Sequence, residues 1–339
     1  METEPRSSLT LSWKNRLRLA IFDFVTDKSF RRDGTLNRRL VDLIDRKSPA
    51  KSTPENGVKT HDVSVDPSRN LWFRLFIPSK TVSDVDSLPV VFYVHGGGFC
   101  LLSPASVHFD AVCRRFACEI NAVVVSLNYR LAPEHKFPAQ YDDGFDALRF
   151  IDENRQSLEF WPENADISRC FLAGDSAGGN IAHHLGVRAS QTQFKQARII
   201  GLILIQPFFG GKDRTDSEVR LHSAPCAAIA RTDWMWKAFL PTGADRDHGA
   251  ANVSGPNKVA ISGLDIPPVI LFVGGFDQLR DWQLRYHDWL EKSGKDVTLV
   301  DIPTACHAFY LFPETPESST LITEIAVFIK KQSFKIRER

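Results

Sequence analysis

The sequence lacks any uncharged apolar run of about 18 residues, the length that a membrane-spanning helix needs. It also lacks a dominant charge, because 42 Lys and Arg side chains face 41 Asp and Glu side chains and leave a formal net charge of +1 at pH 7. Without a basic or acidic excess, we expect neither a nucleic acid nor a membrane surface as a partner. Charged residues interrupt every apolar stretch near the start that could serve as a signal peptide. We therefore expect a cytoplasmic protein that could also enter the nucleus, as a monomer or weak dimer.

Patterns that bind metals or cofactors are equally scarce. The six cysteines include no Cys-x-x-Cys pair, and their scatter fits no zinc spacing. His183 and His184 are adjacent, so on a helix they would point about 100° apart and could not easily share one metal ion. No Walker motif is present. We therefore predict reduced thiols, no metal and no cofactor.

What the sequence does contain is a regular alternation of strand and helix patterns. Of its 339 residues, 43% are hydrophobic, which is enough for a large core. Continuous apolar runs at 89–94 and 199–206 indicate strands that are buried on both faces, as in a parallel sheet. A predicted hairpin, 58–65 with 71–77, precedes them. The order predicts an α/β fold with a doubly wound, mainly parallel sheet and helices on both faces.

The first fifty residues have a helical pattern. Apolar side chains recur there at spacings of three and four and form one stripe: Trp13, Leu17, Ala20, Ile21 and Phe24. Ser12 is the predicted N-cap. Such a helix either packs against the outside of the core or closes over an active site as a lid. We divide the chain into an N-terminal helical segment (1–57) and a main domain (58–339), in which the irregular stretch 207–264 looks like an inserted cap.

A Gly-x-Ser-x-Gly pentapeptide lies between an apolar run and a helical pattern. Its residues Gly174, Ser176 and Gly178 match a nucleophile elbow, a sharp strand-to-helix turn that lifts a serine off the sheet. Glycines are needed on both sides because a Cβ there would collide with neighbouring backbone. The alternative is a glycine-rich turn with an idle serine, since such five-residue motifs also arise by chance.

A serine nucleophile needs a general base, and the base needs a carboxylate to orient it. Nucleophile-elbow enzymes use the chain order Ser, then Asp or Glu, then His. Asp277 and His307 follow Ser176 in that order, each just past a predicted strand. Asp277 could alternatively cap the next helix, a role that Asp281 fills equally well. His307 could be a surface-loop histidine, and its competitor His287 is predicted to lie in the middle of a helix.

A glycine-rich loop follows the predicted strand 89–94. Its sequence is His95-Gly96-Gly97-Gly98, and glycines let backbone amides approach an oxyanion closely. We predict the amides of Gly97, Gly98 and Ala177 as the oxyanion donors and His95 as a structural brace. A plain glycine turn is the alternative. The elbow serine, Asp277, His307 and the glycine-rich loop occur in the chain order of a nucleophile-elbow enzyme, and each follows a predicted strand. This combination favours an active site over coincidence.

Three segments resemble signatures of the hormone-sensitive-lipase family of α/β-hydrolases: His95–Phe99, Tyr129–Glu134 and Gly174–Asn180. Within that family the chain is similar to plant carboxylesterases near the gibberellin-receptor branch. The segments that carry this finer resemblance are Arg31–Thr35, Leu43–Lys47, Gly57-Val58, Asp233–Pro241 and Arg280–Leu284. The resemblance implies the α/β-hydrolase fold for 58–339, and it implies that 1–57 folds over the pocket as a lid.

The same resemblance leaves three functions to separate: a carboxylesterase, a gibberellin-receptor-like protein that binds hormone without turnover, and a dehydratase or cyclase that uses the same triad. In the receptors an aliphatic residue replaces the catalytic histidine, which is present here as His307. The receptors carry serine at the position of Gly98. Their ligand-contacting arginine and tyrosine correspond to Thr232 and Phe109. These differences favour the carboxylesterase.

We therefore predict a serine carboxylesterase with the triad Ser176, Asp277 and His307 and a small-molecule ester as its partner. Its substrates are expected to be small to medium apolar carboxylic esters. The predicted pocket walls come from the lid, the cap and the strand ends: Ile21, Phe24, Leu102, Phe109, Phe209, Trp234 and Tyr310.

Overall fold

An eight-stranded sheet forms the centre of the structure, a computed structural model that describes residues 11–79 and 87–337. The strands are β1 (Val58–Asp66), β2 (Leu71–Pro78), β3 (Leu88–Val94), β4 (Val123–Asn128), β5 (Ala165–Asp175), β6 (Ile199–Ile205), β7 (Val269–Phe276) and β8 (Val297–Cys306). Their order across the sheet is β1-β2-β4-β3-β5-β6-β7-β8. Strand β2 is antiparallel to β1 and to β4, and all the other neighbours are parallel. The predicted hairpin and mainly parallel sheet are confirmed.

Helices alternate with these strands along the chain. They are α1 (Trp13–Ser29), α2 (Arg38–Ile44), α3 (Val107–Glu119), α4 (Ala139–Asn154), α5 (Ala177–Ala189), α6 (Asp216–Arg220), α7 (Ile229–Phe239), α8 (Arg280–Lys292) and α9 (Pro316–Arg337). The stretch 207–264, predicted as a cap, lies between β6 and β7 and contains α6 and α7. None of the helices in the described ranges combines the length and hydropathy of a transmembrane segment.

Strand β3 shows why its sequence is continuously apolar. Every residue of the strand is buried. Phe92 belongs to an apolar cluster shared with α4 and α5, whereas Val91 and Tyr93 point to the opposite face and join a cluster with α3 and α9. Burial of such a side chain stabilises the fold by about 1.5–3 kcal/mol. The helices therefore cover both faces of the sheet.

The strand order reverses beside β3, and this reversal positions the site. Because β3 lies between β4 and β5, the chain segments that leave the carboxyl ends of β3 and β5 border one crevice. The loop that begins at His95 leaves β3, and the turn that contains Ser176 leaves β5. Two motifs that are far apart in the sequence therefore meet at one edge of the sheet.

Helix α1 begins where the sequence predicts, but its apolar stripe faces solvent. Ser12 accepts a hydrogen bond from the Asn15 amide (3.3 Å), so the predicted cap is confirmed. The apolar stripe, however, points to solvent, with Trp13 70% and Phe24 63% exposed, so the contact of α1 with the rest of the protein is made by its other face. The Asn15 side chain instead faces inward and donates to Glu314 (2.6 Å). Polar partners on the body of the protein, together with the buried Leu19, therefore orient this helix.

Candidate active site

Ser176 lies in a strained turn between β5 and α5. Its φ and ψ angles are 50° and −118°, a region that residues with a side chain rarely adopt. A Cβ on Gly178 would lie 1.9 Å from the carbonyl oxygen of Val94, and a Cβ on Gly174 would lie 2.3 Å from that of Gly178. Only glycine fits at both positions, as the nucleophile-elbow pattern requires.

The structure brings His307 and Asp277 to this serine. His307 Nε2 is 3.0 Å from Ser176 Oγ, and His307 Nδ1 is 3.0 Å from Asp277 Oδ2. Asp277 is fully buried and also accepts hydrogen bonds from the Leu279 amide (2.9 Å) and the Gln283 side chain (3.0 Å). These donors hold the carboxylate against the ring, so Nδ1 keeps its proton and Nε2 can accept one from the serine.

Burial and a neighbouring carboxylate act in opposite directions on His307. Burial lowers the pKa of the imidazole, whereas the charge and hydrogen bond of Asp277 raise it. The net result is a pKa above the ordinary value for histidine. The arrangement therefore stabilises the imidazolium that forms when the ring takes up a proton.

The loop after β3 has the backbone geometry of an oxyanion-donor loop. Gly97 and Gly98 have φ angles of 108° and 60°. Within the described residues, the amides of Gly97, Gly98 and Ala177 have no hydrogen-bond acceptor. Gly97 and Gly98 border the same cavity as Ser176, so their amides can receive an oxygen that lies beside the serine.

His95 and Tyr129 hold this loop in place. His95 Nδ1 donates to the carbonyl oxygen of Gly96 (2.8 Å), and its ring stacks on Tyr129 with centroids 4.4 Å apart. The Tyr129 hydroxyl donates to the carbonyl oxygen of His95 (2.9 Å). Burial lowers the pKa of His95 to about 3, so the ring is neutral at physiological pH. These contacts fit the bracing role expected for His95.

A cavity of about 70 Å³ opens at the triad. Three of the predicted pocket residues line it: Leu102, Phe109 and Tyr310. An apolar cavity of about 150 Å³ holds the six carbon atoms of benzene. By that measure the 70 Å³ cavity has room for about three non-hydrogen atoms.

Two predicted pocket residues on α1 lie outside this cavity. Ile21 and Phe24 are 50% and 63% exposed, and Phe22 lines the cavity in their place. Adjacent residues of a helix point about 100° apart, so the inward turn of Phe22 places its neighbours outward. The other lining residues that the prediction of pocket walls omitted include Leu101, Asp175, Cys226, Arg231, Thr232 and Met235.

Two further predicted pocket residues, Phe209 and Trp234, also lie elsewhere. Phe209 is buried against Tyr286, with ring centroids 4.6 Å apart, and the adjacent Phe208 lines the cavity. Trp234 stacks on Phe30 at 4.0 Å and borders a separate groove. In both regions the aromatic content was recognised in the sequence, but the direction of each side chain depends on tertiary packing.

Arg231 joins α7 to α1 beside the cavity. Its side chain is only 2% exposed. It donates to Asp23 (2.6 Å) and to both carboxylate oxygens of Asp27 (2.9 and 3.0 Å). Burial raises the pKa of Asp23, and the attraction of Arg231 offsets only part of that rise. The four-residue spacing of the two aspartates, which places them on one helix face, was the available sequence signal.

Groups of side chains that could bind a metal lie apart from the triad. His183 Nδ1 is 2.9 Å from the Tyr286 hydroxyl, and burial lowers the pKa of that histidine. His287, Asp288 and Glu291 on α8 have ligand atoms within 4.8 Å of one another, and both acids are exposed. His287, the competitor for the role of base, thus belongs to this group and not to the triad. All six cysteines are free thiols, and Cys118 is the exposed one.

Comparisons with known proteins agree with this geometry. Residues 91–311 match the model of a family described as having the alpha/beta hydrolase fold. The chain is 39% identical over 315 residues to gibberellin receptor GID1C of Arabidopsis thaliana, with 89% of each chain covered. It is 37% identical over 267 residues to 3-O-acetylpapaveroxine carboxylesterase CXE1 of Papaver somniferum, which covers 76% of this chain and 83% of the relative.

The chain is also similar to an esterase of known three-dimensional structure. The hyperthermophilic esterase of the archaeon Pyrobaculum calidifontis matches with a TM-score of 0.74 and 27% identity, covering 95% of this chain and 99% of the esterase. The fold, the nucleophile elbow and the relatives all indicate one family. The chain belongs to the hormone-sensitive-lipase-like family of α/β-hydrolases, among the members similar to gibberellin receptors and plant carboxylesterases.

Proposed function

We propose that the protein is a serine carboxylesterase that acts through Ser176, His307 and Asp277. The observation that carries this proposal is the continuous contact from the serine oxygen through both ring nitrogens to a buried carboxylate, with 3.0 Å at each junction. An esterase and a carboxylesterase among its relatives support a carboxylic ester as the substrate class.

Acylation begins when Ser176 Oγ attacks the ester carbonyl carbon and its proton passes to His307 Nε2. Asp277 keeps Nδ1 protonated and stabilises the imidazolium. His307 then gives the proton to the alcohol oxygen, the carbon–oxygen bond breaks, and the alcohol leaves. In deacylation His307 removes a proton from water, which attacks the acyl-serine and releases the acid.

The backbone amides of Gly97, Gly98 and Ala177 stabilise the negative oxygen of each tetrahedral intermediate. Preorganised donors in a buried site act more strongly than water does, because they need no reorganisation when the charge develops. Loss of one such donor typically lowers the rate by about 10²–10³-fold.

The size of the cavity supports an acetyl group as the acyl part of the substrate. The space for about three non-hydrogen atoms matches the two carbons and one oxygen of an acetyl group. The Papaver relative is named for an acetylated compound. Phe22 of α1 lines the cavity, so movement of α1 as a lid would admit a larger alcohol.

Hormone binding without turnover is the second candidate, because the alignment with gibberellin receptor GID1C covers 89% of the chain at 39% identity. Two features of the site weigh against it. His307 is present and in contact with Ser176. A side chain at position 98, where the receptors carry serine, would require Met235 to shift, because the Sδ atom of Met235 lies 2.0 Å from the site of a Cβ.

The test compares p-nitrophenyl acetate hydrolysis by the wild type, Ser176→Ala and Ser190→Ala. Ser190 follows α5 and its hydroxyl donates to the Val187 carbonyl (2.7 Å), so it is a matched control. We expect Ser176→Ala to lower kcat by more than about 10⁴-fold and Ser190→Ala to leave it unchanged.

Gibberellin binding to the same preparations is measured by calorimetry. We expect turnover without micromolar binding. Hydrolysis by Ser176→Ala at nearly the wild-type rate would exclude the proposed nucleophile. Micromolar gibberellin binding by a wild type that has no esterase activity would favour the receptor instead.

A further inference from the structure

Asp175, the residue before the nucleophile, is a buried carboxylate that the mechanism above does not use. It is 1% exposed and lies in the cavity wall. Its Oδ1 accepts from the Tyr93 hydroxyl (2.5 Å) and the Gly96 amide (3.0 Å), and its Oδ2 accepts from the Tyr310 hydroxyl. No Lys or Arg of the described chain pairs with it, so these three donors alone compensate for the loss of water.

The three donors belong to the segments that carry the rest of the site. Tyr93 is in β3, and Gly96 opens the loop that presents the oxyanion donors. Tyr310 lies in the short 3₁₀ helix Phe309–Leu311, three residues after His307. Asp175 itself is bonded to the nucleophile residue. One carboxylate therefore joins the nucleophile, the donor loop and the segment that carries the base.

The contact with the donor loop is close enough to fix the loop. A Cβ on Gly96 would lie 2.3 Å from Asp175 Oδ2 and 3.0 Å from the Asp175 carbonyl oxygen. Glycine at position 96 therefore lets the loop lie directly on the carboxylate. A shift of the loop away from this position would break the hydrogen bond of the Gly96 amide and move the next two amides relative to Ser176.

We propose that Asp175 is a positioning residue for ester hydrolysis, which holds the oxyanion loop and the His307 segment at fixed positions relative to Ser176. The inference rests on the proposed carboxylesterase function and deepens it. A displacement of about 1 Å at a reacting centre can lower a rate about 10²-fold, so a group that fixes three segments affects kcat without touching the ester.

The negative charge of Asp175 also acts on the base. Burial lowers the pKa of His307, Asp277 raises it most strongly, and Asp175 raises it further. Burial raises the pKa of Asp175 itself to about 6, so the carboxylate is mostly charged at neutral pH.

The other ionisable groups near this pair keep one charge state at neutral pH. They are Tyr93, Tyr129, Tyr310, Cys113, Cys226, Cys306 and Arg231. Burial raises the pKa of each of these tyrosines and cysteines, so they stay neutral. Arg231 remains charged and is balanced by Asp23 and Asp27.

The experiment replaces Asp175 by Asn, which keeps the shape, removes the charge and puts a donor in place of one acceptor oxygen. We expect kcat for p-nitrophenyl acetate to fall about 10- to 100-fold with KM within about twofold, because the oxyanion donors act on the transition state. The acid limb of the kcat/KM profile should move to lower pH, since His307 loses a nearby negative charge. Tyr93→Phe is the matched control, because it removes one hydrogen bond but keeps the charge. It should lower kcat less and leave the acid limb in place.

A folded Asp175→Asn with the wild-type kcat and acid limb overturns the proposal. A rise in KM at constant kcat also overturns it, because that result indicates contact with substrate instead. If Asp175→Asn does not fold, the kcat of Tyr93→Phe tests the proposal instead. An unchanged kcat in Tyr93→Phe rejects the positioning role of Asp175.

The wild type is assayed first, and its serine is labelled with a fluorophosphonate. A wild type that neither hydrolyses ester nor takes up the label contradicts the carboxylesterase function itself. An active wild type with unaffected variants contradicts only the role of Asp175.

Discussion

Gly98→Ser tests whether contact with Met235 makes glycine necessary at position 98 of the oxyanion loop. The new Cβ would lie 2.0 Å from Met235 Sδ and 2.7 Å from its Cε, whereas ordinary contacts begin at 3.4 Å. The φ angle of 60° adds backbone strain of about 1–2 kcal/mol for a residue with a side chain. Overpacking of a core adds about 1–3 kcal/mol. We expect the free energy of unfolding to fall by about 2–5 kcal/mol in total.

The activity should fall as well, because the side chain of Met235 can shift to relieve part of the collision but the strain at a φ of 60° remains and displaces the donor loop. Displacement of one oxyanion donor lowers kcat by about 10²–10³-fold. The assays are urea unfolding, followed by fluorescence, and steady-state hydrolysis of p-nitrophenyl acetate. Gly243→Ser is the matched control: Gly243 has a φ of 86° with no atom within 4 Å of its would-be Cβ, so it carries the backbone strain without the collision.

A double-mutant cycle identifies the cause. Met235→Ala removes the colliding atoms, so Gly98→Ser should be less harmful in that background, with a coupling energy of about 1–3 kcal/mol. Additive effects of the two substitutions would show that the collision with Met235 is not the reason. A Gly98→Ser variant with wild-type stability and kcat would refute the reasoning altogether.

Two other predictions concern the lid and the base. Arg231→Met should deprive Asp23 and Asp27 of their arginine partner and loosen α1. The ratio of kcat/KM for p-nitrophenyl octanoate to that for the acetate should then rise about 10-fold, equivalent to about 1.4 kcal/mol. An unchanged ratio would show that α1 does not restrict access. His307 acts as a base in its neutral form, and its pKa is raised above the ordinary value of 6.5. We therefore expect kcat/KM to decline as the pH falls through that raised pKa, and to drop tenfold per pH unit at lower pH. A kcat/KM profile that is flat down to pH 5 would contradict this role.

The contact of Ser176, His307 and Asp277 was predictable because each of these residues follows a strand. Parallel strands bring their carboxyl ends to one edge of a sheet, so Asp277 and His307 reach Ser176 although they are distant in the sequence. The donor loop was predictable for the same reason, since it follows β3 and the strand order sets β3 beside β5. Short local patterns and one topological rule were therefore enough to suggest the centre of the site.

The orientation of α1 was not predictable from periodicity. The apolar stripe shows that the helix has two unlike faces, but it does not show which face is buried. Arg231 and Glu314 decide that question, and both lie far along the chain from their partners on α1. The direction of Phe208 and Phe209 depends in the same way on packing in an extended segment, where a shift of one residue exchanges the two sides.

The strained backbone of Ser176 places stability and activity in opposition at a single residue. Its φ of 50° and ψ of −118° are costly for serine, at about 1–3 kcal/mol, yet suit glycine better. Laboratory evolution toward heat resistance alone would therefore favour glycine at this position, because only glycine lacks the Cβ that causes the strain. Under the proposed function, selection for turnover keeps the serine, and the wild type is less stable at this turn than a Ser176→Gly variant.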